Sequence, residues 1–163
     1  MNKDGGYTGG VNPNSFYRAD YNSSSLPIVG NKIISETAKD VANAGMVCLQ
    51  SLCHRLARQS GWWDEYDAMD EVGRKHFIAG KIALVHSEVS EALEGFRKGL
   101  NDDHLPDRPM VEVEFADTII RILDLAGALK LNVGPAVLAK LEYNQQRADH
   151  KPENRAKAGG KSL

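Results

Sequence analysis

The amino-acid sequence predicts an all-α fold, and three observations indicate that class. Apolar residues recur at helical spacing in four segments between residues 35 and 148. No segment of useful length alternates between apolar and polar residues, as a half-buried β-strand would. The links between the four segments are short and contain the glycines, prolines and acidic residues that end helices. Four helices with short connections are typical of a four-helix bundle.

The first predicted helix begins near Ser35 and ends at Gly61. Its apolar stripe consists of Val41, Gly45, Cys48, Leu49, Leu52 and Leu56. An acidic loop follows it, and the second helix is expected to begin near Gly73 or Arg74 and to end near Gly99. The stripe of the second helix consists of Ile78, Ile82, Val85, Val89, Ala92, Leu93 and Phe96.

The third predicted helix runs from about Met110 to Lys130, after a polar loop that contains two prolines. Its apolar stripe consists of Phe115, Ile119, Ile122, Ala126 and Leu129, widened by Ile120 and Leu123. The fourth helix is expected to have Asn132 as its N-cap and Pro135 in its first turn, and to end near Ala148.

The length of 163 residues suits one domain with a real core. Residues 1–31 are rich in Gly, Asn and Ser, a composition that predicts a flexible N-terminal arm. Residues 32–150 form the predicted helical domain, and residues 151–163 form a polar C-terminal tail. The chain is therefore expected to be one helical domain with an extension at each end.

Composition and charge exclude several classes of partner. A formal net charge of -2 at pH 7 leaves no basic footprint, so we expect no duplex nucleic acid as a main partner. No secretory signal pattern is present, and no stretch approaches about 18 uninterrupted apolar residues. We therefore expect a cytoplasmic protein without a membrane partner. Cys48 and Cys53 are expected to be buried small residues in a reducing compartment.

Two acidic pairs are the strongest chemical signal in the chain. Glu88 and Glu91 lie three residues apart on the second predicted helix, and Glu114 and Asp117 repeat that spacing on the third. Each pair would project two carboxylates from one helical face. Carboxylates on neighbouring helices are suited to Mg²⁺ or Mn²⁺, which prefer oxygen ligands. Spacing alone leaves open the alternative that both pairs lie on ordinary solvated faces.

The position of these acids relative to the predicted core follows from the helical repeat of about 100° per residue. The polar residues of the third predicted helix fall on one stripe, nearly opposite its apolar stripe: Glu114, Asp117, Arg121 and Asp124. We therefore expect that stripe to face away from the core. Glu88 lies at the border of the apolar face of the second helix, with Glu91 beside it.

Hydrogen-bond donors on the fourth helix form a second candidate site. Lys140, Asn144 and Arg147 recur at i, i+4 and i+7, a stripe that suits phosphate oxygens. The alternative is a solvated basic face near a helix C-terminus, where cations are favoured anyway. Trp62 and Trp63 are candidates for stacking on a nucleotide base. We expect one tryptophan to stack and the other to hold its loop against the bundle.

The two acidic motifs together resemble those of a known family. The segment HSEVSEALEGFRKG, followed by EFADTIIRILDLAG, closely resembles the MazG-like all-α nucleotide pyrophosphohydrolases, whose signature joins EExxE to ExxD through a spacer. The segments GWWDE and KLEYNQQR are also similar to that family, so the resemblance covers about residues 35 to 150. Ser87 departs from the signature, because it stands where the family has its first Glu.

The resemblance implies a function as well as the all-α NTP pyrophosphohydrolase fold. It implies a Mg²⁺-dependent enzyme, with Mn²⁺ as a substitute, that hydrolyses a (d)NTP to a (d)NMP and pyrophosphate through a metal-activated water. The implied metal ligands are Glu88, Glu91, Glu114 and Asp117. Glu88 or Glu91 would take the proton of the water, and Glu94 and Asp124 are weaker candidates around the metal. Lys140, Asn144 and Arg147 would contact the nucleotide.

The resemblance further implies a homodimer or a dimer of dimers in which a neighbouring subunit closes the base pocket. Three alternatives remain open at this point. The first is the same fold acting on phosphoribosyl-ATP, and the second is a nucleotide-binding protein without significant turnover. The third is a structural helical oligomer whose acids lie only on its surface.

Overall fold

The computed structural model describes residues 35–147, and this range contains five α-helices and no β-strand. The helices are α1 (Glu36–Gln59), α2 (Asp64–Ala68), α3 (Glu71–Lys98), α4 (Met110–Ala128) and α5 (Val133–Gln146). The predicted all-α class is confirmed. The predicted arm, residues 1–31, and the predicted tail, residues 151–163, lie outside the described residues.

A short helix occupies the segment in which we expected only a loop, so that expectation is wrong. Three acidic residues lie in the first turn of α2: Asp64, Glu65 and Asp67. Acidic side chains are favoured there because the N-terminal end of a helix carries a partial positive charge. The carboxylate of Asp70 then accepts a hydrogen bond from the Gly73 amide at 2.7 Å and caps α3, which begins at Glu71. α3 therefore begins two residues before the predicted position of Gly73.

Glycines allow the long helices to approach one another closely. A Cβ atom on Gly95 of α3 would lie 2.8 Å from Cγ of Met110 at the start of α4. A Cβ atom on Gly127 of α4 would lie 2.6 Å from Cβ of His54 on α1. Since real Cβ atoms do not come so close to carbon, neither position accepts a larger residue without displacement. The main interfaces join α3 to α4, α4 to α1 and α1 to α5.

The face that α4 turns toward its neighbours differs from the predicted one. Phe115, from the predicted core stripe, is 54% exposed, whereas Glu114 and Asp124, from the predicted outer stripe, are each only 6% exposed. The expectation that the polar stripe faces away from the core is therefore wrong. Periodicity shows which residues share a face of a helix, and it does not show which face a neighbouring helix covers. Leu123 and Ala126 are buried as expected.

Much of the predicted apolar core is exposed in this chain. The exposed members of the predicted stripes include Val41, Leu49, Leu52, Leu56, Ile82, Val89, Leu93, Phe96, Ile119, Ile120 and Ile122. Cys48 is exposed, contrary to expectation, whereas Cys53 is buried and its burial raises the pKa of its thiol. No single helix within residues 35–147 is long and apolar enough to cross a membrane, and α4 and α5 meet that criterion only as a pair bent by 116°.

Candidate metal centre

Three of the four predicted ligands come together between α3 and α4. Glu88, Glu91 and Glu114 each offer a carboxylate oxygen, and these three oxygens lie within 4.8 Å of one another. Glu88 and Glu114 are buried, whereas Glu91 is exposed. The group therefore has two ligands enclosed between the helices and one at its open side. We name these three residues the acidic cluster.

Asp117 lies beside the acidic cluster and is not a member of it. Its carboxylate is partly buried one helical turn beyond Glu114 on α4. Burial raises the pKa of Asp117, repulsion from Glu88 raises it further, and the charge of Arg121 opposes the increase. The carboxylate of Asp117 is therefore close enough to the acidic cluster to be repelled by the charge of Glu88. The structure does not bring it into the three-ligand group.

The surroundings of Glu114 favour its protonated form. Burial is the largest cause, and a hydrogen bond with Glu88 and repulsion from Glu91, Glu88 and Asp117 follow. Together they raise the pKa of Glu114 to about 7. A buried carboxylate among other carboxylates needs a proton or a cation to offset its charge. A bound cation would displace the proton and restore the ionised form of Glu114.

The chemistry of this donor set fits Mg²⁺ or Mn²⁺. All three ligands are carboxylate oxygens, without the thiolate or imidazole ligands that zinc prefers. Ser87, at the position where the family signature has Glu, donates its hydroxyl to the backbone oxygen of Leu84 at 2.8 Å. Its side chain is therefore engaged with its own helix and adds no ligand to the cluster.

Arg121 contacts the acidic cluster, and we assigned it no role from the sequence. Its Nε donates a hydrogen bond to Oε1 of Glu88 at 2.5 Å. The signal that could have indicated this contact is its place in the polar stripe of α4, one turn after Asp117. Because the polar stripe of α4 faces α3, Arg121 lies within hydrogen-bond distance of Glu88.

Asp124, a weaker candidate for the metal site, instead forms a separate hydrogen-bonded group. Its carboxylate accepts hydrogen bonds from Nε1 of Trp63 at 2.8 Å and from Nδ1 of His54 at 2.9 Å. Nζ of Lys81 lies 3.5 Å from its other oxygen. Glu94, the second weaker candidate, pairs with Lys98. Neither acid belongs to the acidic cluster.

The two tryptophans lie in different environments. Trp63 is completely buried and packs edge-on against His54 at 5.5 Å and Tyr66 at 5.2 Å between ring centroids. Trp62 is 67% exposed. Of the two roles that we expected for this pair, Trp63 is therefore placed to hold its segment against the helices. Trp62 is the ring that is open to a ligand.

The predicted donor stripe lies on α5. Nζ of Lys140 lies 4.7 Å from the ring centroid of Tyr143, and the guanidinium of Arg147 lies 5.9 Å from the same centroid. Within the described residues, Oδ1 of Asn144 is buried without a hydrogen-bond partner. α5 packs chiefly against α1, whereas the carboxylates lie between α3 and α4. The donor stripe and the acidic cluster thus belong to different helix interfaces of the protomer.

Comparison of the chain with protein-family models, with curated proteins and with solved structures found no match. The resemblance to the MazG-like family therefore stays a prediction from the sequence motifs.

Proposed function

We propose that this chain is a Mg²⁺-dependent nucleoside triphosphate pyrophosphohydrolase, with Mn²⁺ as a substitute metal. The reaction is hydrolysis of a (d)NTP to a (d)NMP and pyrophosphate. The supporting observation is the acidic cluster, in which three carboxylate oxygens lie within 4.8 Å of one another and the pKa of Glu114 is raised to about 7. The motif order shared with the MazG-like family supports the choice of a nucleotide substrate.

The exposures of the three glutamates suggest different roles. Glu88 and Glu114 are buried, and they would hold the metal where attraction between opposite charges is strongest. When bound, Mg²⁺ would neutralise phosphate charge and lower the pKa of the attacking water. Glu91 is exposed at the open side, so it is the better-placed residue to accept the proton of that water. Oxygen of the water would bond to the α-phosphorus as the bond to the pyrophosphate oxygen breaks.

Trp62 and α5 complete the proposed substrate contacts. The exposed ring of Trp62 offers a surface on which a base can stack. The phosphate contacts of Lys140, Asn144 and Arg147 stay a prediction, because α5 packs chiefly against α1. Relative rates of hydrolysis across a panel of NTPs and dNTPs would identify the preferred base.

A homodimer, or a dimer of dimers, is part of the proposal. The many exposed apolar side chains of α3 and α4 support it, since large exposed apolar surfaces are typical of interaction sites. Sedimentation of a Phe115→Glu variant is expected to show a smaller species than the wild type. Val137→Glu, a control at an exposed apolar position on α5, is expected to leave the mass unchanged. A monomeric wild type would contradict the dimer.

The enzymatic proposal is tested by pyrophosphate release from a panel of NTPs and dNTPs with Mg²⁺, with phosphoribosyl-ATP included. We expect turnover by the wild type and a loss of activity of more than about 100-fold in Glu91→Gln. Residues that only orient a metal ligand cost about 10- to 100-fold in activity when mutated, and loss of the ligand itself should cost at least as much. Glu94→Gln is the matched control, because Glu94 lies on the same helix and pairs with Lys98. Absence of turnover on every substrate, or full activity in Glu91→Gln, would overturn the proposal.

A further inference from the structure

Arg121 lies at the acidic cluster through its position on α4. It follows Asp117 by four residues and Glu114 by seven, so the three side chains share one face of the helix. Its Nε donates to Glu88 across the interface with α3, at 2.5 Å. Its charge also opposes the rise in the pKa of Asp117. Arg121 thus contacts Glu88 of the acidic cluster and interacts electrostatically with Asp117.

The contact with Glu88 uses a small part of the hydrogen-bonding capacity of Arg121. A guanidinium carries five N–H donors, four of them on its terminal amino groups. Within residues 35–147, the Arg121 side chain donates one hydrogen bond, from Nε to Glu88. The Arg121 side chain is 40% exposed, although its partner Glu88 is buried. Within the described residues, the terminal amino groups donate no hydrogen bond, and the exposed part of the side chain can be reached from solvent.

Lys81, a second basic residue at the same interface, makes a useful contrast. Its side chain is only 16% exposed, its Nζ lies 3.5 Å from Asp124, and the Trp63 ring centroid lies 4.7 Å from the same nitrogen. Lys81 is enclosed by groups of the chain itself. The Arg121 side chain combines a hydrogen bond to a buried carboxylate with partial exposure to solvent, which is the arrangement expected of a residue that binds a ligand.

We propose that Arg121 is a phosphate-binding residue of this site. Its Nε donates to Glu88, and its terminal amino groups bind oxygens of the triphosphate chain of the substrate. The planar fork of arginine suits phosphate oxygens, and a positive charge beside the metal-binding carboxylates would meet the negative charge that a polyphosphate brings. This inference rests on the proposed function and names the residue that receives the substrate's phosphates.

The test measures two binding reactions that do not require turnover. The first is Mn²⁺ alone, and the second is tripolyphosphate with Mg²⁺, each measured by calorimetry on the full chain. In Arg121→Gln we expect Mn²⁺ binding to be unchanged or tighter, because a positive charge near the carboxylates has been removed. We expect tripolyphosphate to bind about 10- to 100-fold more weakly, the usual loss for a charge-assisted hydrogen bond. Arg121→Lys, which keeps the charge without the fork, should lie between the two.

Arg108→Gln is the matched control, because Arg108 also pairs with a glutamate of α4, Glu112, on the exposed surface. We expect it to change neither reaction. Parallel weakening of Mn²⁺ and tripolyphosphate in Arg121→Gln would show that Arg121 only orients Glu88, and would overturn the proposal. Unchanged tripolyphosphate binding would also overturn it. A wild type that binds tripolyphosphate with Mg²⁺ and yet hydrolyses no nucleotide would contradict the proposed function alone.

Discussion

Two buried acids on α4 lie in opposite surroundings. Glu114 and Asp124 are each 6% exposed and belong to the same polar stripe. Asp124 is surrounded by donors, with hydrogen bonds from Trp63 and His54 and with Lys81 nearby. Glu114 is surrounded by acids, and burial, followed by its acidic neighbours, raises the pKa of its carboxyl. The chain supplies hydrogen-bond donors to Asp124, whereas the side-chain partner of Glu114 is a second acid, Glu88.

The difference distinguishes a structural acid from a ligand-binding one. A buried charge costs free energy unless it is paired, and a hydrogen-bonded carboxylate such as Asp124 meets that requirement within the fold. A buried carboxylate beside other carboxylates meets it only by keeping a proton or binding a cation. Asp124 therefore contributes to stability, whereas Glu114 is maintained at a cost to stability. At a pH above about 7 and without metal, mutation of the two residues should then change the free energy of unfolding in opposite directions.

The largest expected effect on stability is at Asp124. Asp124→Ala would leave the buried donor of Trp63 and the partly buried donor of His54 without an acceptor, and we expect it to lower the free energy of unfolding by about 3 to 5 kcal/mol. Urea denaturation followed by circular dichroism measures this loss. Asp107→Ala, at an exposed acid of the loop before α4, is the control, expected within about 0.5 kcal/mol of the wild type. A loss of less than about 1 kcal/mol at Asp124 would show that its hydrogen bonds do not stabilise the fold.

The next effect is at Glu114, and its sign depends on pH. The pKa of Glu114 rises from 4.5 to about 7 on folding, so its stabilising contribution is fully present below pH 4.5 and is lost as pH rises through about 7. At pH 8 in EDTA, we expect Glu114→Gln to be more stable than the wild type by up to about 3 kcal/mol. The measurement is the difference in free energy of unfolding between the two proteins from pH 5 to pH 8.

Mg²⁺ should reverse that difference. The metal would bind the ionised cluster of the wild type and stabilise it, whereas Glu114→Gln lacks a ligand. Glu112→Gln, at an exposed acid on the same helix, is expected to show neither effect. A Glu114→Gln protein that is less stable than the wild type at pH 8 without metal would show that Glu114 is paired like Asp124.

The smallest expected effect on stability is at Trp62. Its ring is exposed, so we expect Trp62→Ala to change the free energy of unfolding by about 0.5 kcal/mol or less. The same truncation at the buried ring of Trp63 is expected to cost about 3 to 5 kcal/mol. In a nucleotide-binding assay, Trp62→Ala should weaken binding by about 10-fold through lost base stacking. Unchanged nucleotide binding would remove Trp62 from the substrate site.

The helix boundaries were largely predictable, because they depend on local chemistry. Gly99 ends α3 with a left-handed backbone, φ 63°, that suits glycine, and α4 begins at Met110 as expected. The short helix α2 was not predictable from apolar periodicity, since its five residues, DEYDA, are too few for a repeat. Its acidic first turn was a signal that we did not use.

The orientation of the helices was not predictable from periodicity. Glu114 and Phe115 are sequence neighbours on different faces of α4, and only packing decides which of the two faces α3. Sequence spacing was enough to place Glu88, Glu91 and Glu114 among the candidate ligands, because the motif is defined by spacing along each helix and not by how the helices pack. The contact between Arg121 and Glu88 required the register of α3 against α4, which the spacing of residues within one helix does not determine.

Divalent-metal binding at the acidic cluster is the most direct test of this account. Calorimetric titration of the wild type with Mn²⁺ at pH 8 should show saturable binding that weakens as the pH falls below about 7, where Glu114 keeps its proton. Glu91→Gln should bind Mn²⁺ at least about 10-fold more weakly, and Glu94→Gln should bind it like the wild type. A wild type that binds no Mn²⁺ at pH 8, or equal weakening in both variants, would contradict the assignment of Glu88, Glu91 and Glu114 as a metal centre.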